Sequence, residues 1–268
     1  MAKQLKADAI EAADISRYLE EQDDFALELR CMQCVHEHGL SFDHAGTYID
    51  PVTGKARQFD IRASLQRGGN KVTFAIESKS LGKNFPLIVS RLPRSHSESF
   101  LDRIDGLPKQ TQPLDIARLP GSPLYPVNGP VVKSTVQLGR TPAGVWSATD
   151  ADTFEKWTQA IASALDLADK AIRRLLNATA VDQTEQTVLL PVLVVSNDTL
   201  WAVDYDEHGR VQFDPCRLEQ SSMFVGQEHS NMRRLAISHL HICTEKGLAD
   251  LLQWFSDDEN LWKSLFGK

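Results

Sequence analysis

"RQFDIRASLQRGGNKVTFAIESKSL", residues 57–81, holds two runs of alternating residues on either side of a Gly-Gly pair. Two glycines suit the positive φ angles of a two-residue type I′ turn. With Gly68 and Gly69 in the turn, Arg67 lies opposite Asn70 and Asp60 opposite Glu77. Side chains alternate between the faces of a strand. Phe59, Ile61, Ala63 and Leu65 then share one face with Val72, Phe74 and Ile76, while Gln58, Asp60, Arg62, Thr73, Glu77 and Lys79 take the other. A one-residue slip would turn the apolar set of one strand toward water, so turn and pattern specify the same register.

Carboxylates directly opposed across a strand pair destabilise it by up to ~1 kcal/mol. Asp60 and Glu77 therefore call for a compensating cation. Mg²⁺ is commonly held by one or two carboxylates, with water and phosphate oxygens completing its shell. Lys79, two positions after Glu77 on the same face, is expected to contact a metal-bound water or a phosphate oxygen. The alternative without metal is an exposed sheet face on which Lys79 or Arg62 pairs with the acids.

Residues 23–38, "DDFALELRCMQCVHEH", read as a helix with Asp23 or Asp24 near its N-cap and Gly39 past its end. At about 100° per residue, Phe25, Leu29, Met32 and Val35 form an apolar stripe, and Glu28 falls inside it between Met32 and Val35. A carboxylate on a core-facing side needs a partner. That partner is either a metal at the hairpin or a nearby arginine.

With a helical Glu28, then Asp60 on one strand, then Glu77-Ser78-Lys79 on the next, residues 23–81 resemble the PD-(D/E)xK nuclease superfamily. Phe59 stands where that motif often carries proline. The resemblance implies a restriction-endonuclease-like α/β fold, a mixed central β-sheet flanked by helices. It implies Mg²⁺ (or Mn²⁺) on Asp60 and Glu77, with Lys79 supporting the attacking water and Glu28 orienting the site or assisting with metal. The implied activity is phosphodiester cleavage of nucleic acid, by a DNA endonuclease of defence or DNA processing. An inactive nuclease-fold binding, scaffold or regulatory protein is the other outcome the resemblance allows. Many such nucleases act as dimers, which makes a homodimer or larger complex a further expectation, although the sequence shows no coiled coil.

The chain has 268 residues, 42% of them hydrophobic, enough for one large domain over residues 1–268 with an insertion inside it. No apolar run approaches the roughly 20 residues that span a bilayer. The first 22 residues are charged and helical in pattern, unlike a secretory signal, so a cytoplasmic protein with no membrane partner is expected. Net charge is −7, but residues 53–110 carry eleven Lys or Arg against five Asp or Glu, an excess of six that leaves thirteen net negative charges on the rest. Arg57, Arg62, Lys83, Arg91 and Arg94 are the cations expected to meet nucleic-acid phosphates.

Prolines 108, 113, 120, 123, 126, 130 and 142 punctuate residues 92–145, which read as a Pro-rich, loop-rich insertion with a few short strands such as "PVVKSTVQL". Phe154, Trp157, Ile161, Leu165, Ala168, Ile172 and Leu176 recur at helical spacing, giving a long amphipathic helix over residues 152–177. "TVLLPVLVVSNDTLWAVDYDEHG" reads as a buried strand, an Asn-Asp turn and a second strand, "HLHICT" as a further strand, and residues 245–256 as a closing helix. Cys31, Cys34 and His38 share one side of a helix without a second pair of zinc ligands, so buried thiols are expected, and four cysteines make no disulfide framework. His239, His241 and Cys243 read as ordinary sheet-surface residues, and Asp204 and Asp206 as solvated residues leading to a turn at Gly209. The sequence has no GxSxG elbow, P-loop or dinucleotide fingerprint.

Overall fold

The computed structural model describes residues 8–107, 114–177, 185–230, 232 and 234–267. Pro108 and Pro113 lie outside the described residues, as do the first seven residues of the chain. The molecule is α/β, with a large mixed sheet flanked by helices.

The chain opens with α1 (Ala12–Gln22) and α2 (Asp24–Glu37), where the Asp23 carboxylate accepts from the Ala26 N–H and caps the second helix. Strands β1 (Ser41–His44), β2 (Thr47–Ile49), β3 (Ala56–Gln58), β4 (Ile61–Arg67), β5 (Asn70–Lys79) and β6 (Leu87–Pro93) follow. Next come β7 (Phe100–Gly106), β8 (Leu114–Pro120), β9 (Pro130–Arg140), β10 (Trp146–Thr149) and the long α3 (Ala151–Asn177). The last part holds β11 (Glu185–Val195), β12 (Leu200–Asp204), β13 (Cys216–Arg217), β14 (Gln220–Glu228), β15 (Ala236–Thr244), α4 (Glu245–Asp257) and α5 (Glu259–Phe266).

The hairpin of β4 and β5 has the expected register, with Arg67 opposite Asn70, Leu65 opposite Val72 and Ile61 opposite Ile76. Its turn differs from expectation. Only Gly68 takes a positive φ (60°), which fits a II′-like rather than a I′ turn. β5 then runs parallel to β11, and β11 parallel to β15, so the middle of the sheet is buried on both faces.

α2, α4 and α5 cover the face that carries Ile61, Ala63, Phe74 and Ile76, while α3 covers the face that carries Ala75 and Leu189. Phe59 breaks the expected alternation. β4 begins only at Ile61, and Phe59 packs with Tyr48 and with Ala162 of α3, under the Arg62 guanidinium at 4.2 Å. The buried stripe of α2 also differs, consisting of Leu27, Cys31 and Val35, with Phe25 and Leu29 exposed. At its ends α3 departs similarly, for Phe154 and Leu176 are exposed and Leu175 is buried.

The stretch 92–145 carries more regular structure than the sequence suggests. β7 and β8 pair along their whole length, β7 adds to the first half of β11, and the 11-residue β9 bridges β6 and β14. Prolines fall at strand ends, at Pro120 and Pro130, where a missing N–H costs little. Among the described residues, no helix is long and apolar enough to cross a membrane.

Candidate active site

Asp60 sits in the bend just before β4, and Glu77 lies near the end of β5. Both point to the α3 side, as the register requires. The Asp60 N–H donates to Glu77 Oε1 (3.3 Å), while Asp60 Oδ2 accepts from the Ser78 N–H (2.8 Å) and the Ser78 hydroxyl (3.1 Å). The charge between the two acids is Lys156 of α3. Its Nζ donates to Asp60 Oδ1 (3.0 Å), Asp60 Oδ2 (2.9 Å) and Glu77 Oε2 (3.3 Å). With its amide nitrogen turned to the carboxylate, Gln159 also donates to Glu77 Oε2 (3.2 Å) and accepts from Arg57 Nη1 (3.3 Å).

The helix period places these partners. Lys156, Gln159 and Ser163 stand at i, i+3 and i+7, one ridge of α3 beside its apolar stripe. Ser163 and Asp166 receive the Arg62 guanidinium at 3.0 and 2.7 Å. A polar ridge running beside the stripe was the available sequence signal for Lys156, a residue that the sequence reading passes over.

Electrostatics follow from this packing. The Glu77 side chain is 1% exposed, and burial, with the Asp60 charge second, pushes its carboxyl up to about 8 against the opposing pull of Lys156. Lys156 is itself raised: burial opposes its charge, but Asp60 and Glu77 outweigh that.

Glu28 borders the buried stripe of α2 and stands 2.7 Å from His44 Nε2. Burial raises its carboxyl, with the Asp60 charge next in size, which puts Glu28 within electrostatic reach of the acid pair. The Lys79 ammonium instead pairs with Asp24 Oδ2 at 2.8 Å, where Asp24 Oδ1 also accepts from the Ser80 N–H. Lys79 lines a cleft of about 980 Å³ together with Arg17, Arg30, Lys83 and Ser196.

The five cations expected at phosphates separate into two groups. Arg62, Arg91 and Arg94 are buried, and their guanidiniums are spent inside the protein: Arg62 on α3, Arg91 on Asp204 through two bonds of 2.7 and 2.8 Å, and Arg94 on the Pro126 and Pro130 carbonyls and the Ser222 hydroxyl. Asp204 is thus a partner of Arg91 rather than a solvated acid. Arg57 is partly exposed, held at 2.9 Å by Asp50, and Lys83 is exposed beside Asp198.

The remaining constellations resolve similarly. Cys31, Cys34, Cys216 and Cys243 are all free, with Cys31 and Cys243 buried. His239, His241 and Cys243 are buried rather than at the sheet surface, with Tyr125 over the two histidines. Among the described residues, no group of three or more His, Cys, Asp or Glu is arranged to hold a metal ion. Comparison with protein-family models, curated proteins and solved structures gave no match.

Proposed function

We propose that this chain is a divalent-metal-dependent phosphodiesterase that cleaves nucleic acid, a DNA endonuclease built on a restriction-endonuclease-like sheet. The observation that carries this reading is one cation seated against carboxylates of two adjacent strands, with Lys156 Nζ 2.9–3.3 Å from oxygens of both Asp60 and Glu77. The donor set is hard oxygen, the kind that suits Mg²⁺ or Mn²⁺. Asp60 and Glu77 would hold the metal in place of the Lys156 ammonium. Such an ion, when bound, lowers the pKa of its water and polarises a phosphoryl oxygen.

The protein's own groups supply the rest. Ser78 and Gln159 fix the two carboxylates by hydrogen bonds, which keeps their oxygens converged. Lys156, released from the acids, stays charged beside them and stabilises negative charge that develops on the phosphate. In this reading Lys156 takes the role first assigned to Lys79, and Lys79 with Lys83 lines the neighbouring cleft where a strand backbone would run. Glu28, paired with His44, orients the acidic end of the site.

One observation favours a second reading. Lys156 already bonds both acids, so the same geometry fits an inactive nuclease-fold protein in which the lysine is a permanent partner of the pair. The test is incubation of the wild-type protein, Asp60→Asn, Lys156→Met and Lys79→Ala with plasmid, linear and single-stranded DNA and with RNA, in Mg²⁺, Mn²⁺ or EDTA. The nuclease reading expects metal-dependent cleavage that is lost in Asp60→Asn and Lys156→Met and retained, though reduced, in Lys79→Ala. No cleavage by the wild type under any metal favours the inactive reading.

A further inference from the structure

Across the sheet from Asp60 and Glu77, Arg94 is a buried cation without a carboxylate partner. The residue is 2% exposed, and the three groups it donates to, Pro126 O (3.0 Å), Pro130 O (3.3 Å) and Ser222 Oγ (2.6 Å), are all uncharged. The neighbouring charges are taken elsewhere: Asp204 holds Arg91, and Glu98 holds Lys133. A guanidinium has five N–H donors, so Arg94 keeps two in reserve, among them a buried Nε with no acceptor.

One further buried polar atom on this face lacks a partner, His239 Nε2. Arg94 also borders a pocket of about 220 Å³, which has Pro123, Leu124, Leu251 and Trp254 as its apolar wall and Gln220, Ser222 and His241 as its polar one. The pocket is built rather than incidental. Tyr125 stacks on His239 with ring centres 3.7 Å apart and shares a 2.7 Å hydrogen bond with His241 Nε2, and the Arg94 guanidinium lies over the Tyr125 ring. Isolating a charge from water without a counter-charge is costly, and an unused buried donor adds to that cost. Retaining such a cation beside an open pocket makes sense if an anion completes it.

We propose that this pocket binds a small oxyanion, a phosphate or a carboxylate borne on a compact apolar body. The oxyanion would meet Arg94 and the side-chain amide of Gln220, which shares a strand face with Ser222, while its body lies against Leu124 and Trp254. The site is independent of the nuclease reading, because its residues lie on the face covered by α4, opposite the α3 face that holds the acid pair.

The experiment is calorimetric titration of the full chain with inorganic phosphate, phenyl phosphate and benzoate, with sodium chloride at matched ionic strength as the control. One saturable site is expected for at least one probe, and preference for phosphates or for benzoate identifies the head group. Arg94→Gln should weaken it at least about tenfold, the loss of one charge-assisted hydrogen bond. Gln220→Ala, which removes only an exposed side-chain amide beside the pocket and keeps the core, should weaken it about threefold or more, with the Trp254 fluorescence response reduced in parallel. Asp60→Asn should leave it unchanged. The absence of saturable binding beyond the chloride control, or binding equally strong in Arg94→Gln or in Gln220→Ala, overturns the proposal.

Discussion

Glu77 holds a proton far more tightly in the folded chain than its ordinary value of 4.5 allows, because burial and the Asp60 charge both disfavour its anion. The consequence for stability has a definite sign. Between 4.5 and about 8 the folded state binds more protons at this group than the unfolded state does, so Glu77 favours folding most at low pH, and that contribution is lost as pH rises to about 8. We expect wild-type unfolding free energy to fall over this window by a few kcal/mol relative to Glu77→Gln, which lacks this contribution. Parallel denaturant titrations at several pH values check this, and equal slopes in the two proteins would contradict it. The pairing of Asp60 with Glu77 was legible in the sequence, because Gly68-Gly69 and the alternating apolar residues fix one register. The roles of Arg62, Arg91 and Arg94 were not. A formal charge count cannot show that a guanidinium is buried against Ser163, Asp204 or the Pro126 carbonyl.

At the scale of elements, α3 determines the site by presenting Lys156 to two strands that precede it by more than seventy residues. Removing that ammonium leaves two acids facing each other. Lys156→Met is therefore expected to destabilise the fold by about 1–3 kcal/mol, below the full cost of breaking a buried pair because Glu77 can take up a proton. Thermal unfolding at high and low pH measures it, with the larger loss expected at the higher pH. Gly247 supplies an independent check on how α4 docks. A Cβ there would come within 1.9 Å of the Glu219 carbonyl oxygen, so Gly247→Ala should cost about 1–3 kcal/mol where an ordinary helix would gain from alanine. The long helices and the hairpin were legible because their periods repeat over many residues. The buried face of α2 was not, since Leu27, Cys31 and Val35 and the rival set Phe25, Leu29 and Met32 are both apolar, and only packing against Phe74 and Phe255 selects one. Within 92–145 the strand "PVVKSTVQL", now β9, was legible, whereas β7 and β8 escaped notice because the surrounding prolines suggested loop and the partner of β7 in β11 lies far along the chain.

At the scale of the whole molecule, β11 is shared by the parallel strands β5 and β15 and by the antiparallel β7, and this joins the hairpin of the acid pair to the elements that enclose the second pocket. The two candidate sites occupy opposite faces of one sheet and are expected to respond to substitution separately. In the acid pair, a metal must displace the Lys156 ammonium and claim the Glu77 carboxylate as an anion. Its affinity should therefore rise about tenfold per pH unit up to about 8 and level off above it. The most direct measurement is a calorimetric titration of Mn²⁺ into the wild-type chain and Asp60→Asn on either side of pH 8, in buffers of differing ionisation enthalpy to count protons. We predict one saturable site in the wild type, with proton release below pH 8 and no such site in Asp60→Asn. Absence of saturable Mn²⁺ binding in the wild type, or a site that survives Asp60→Asn unchanged, would contradict the assignment.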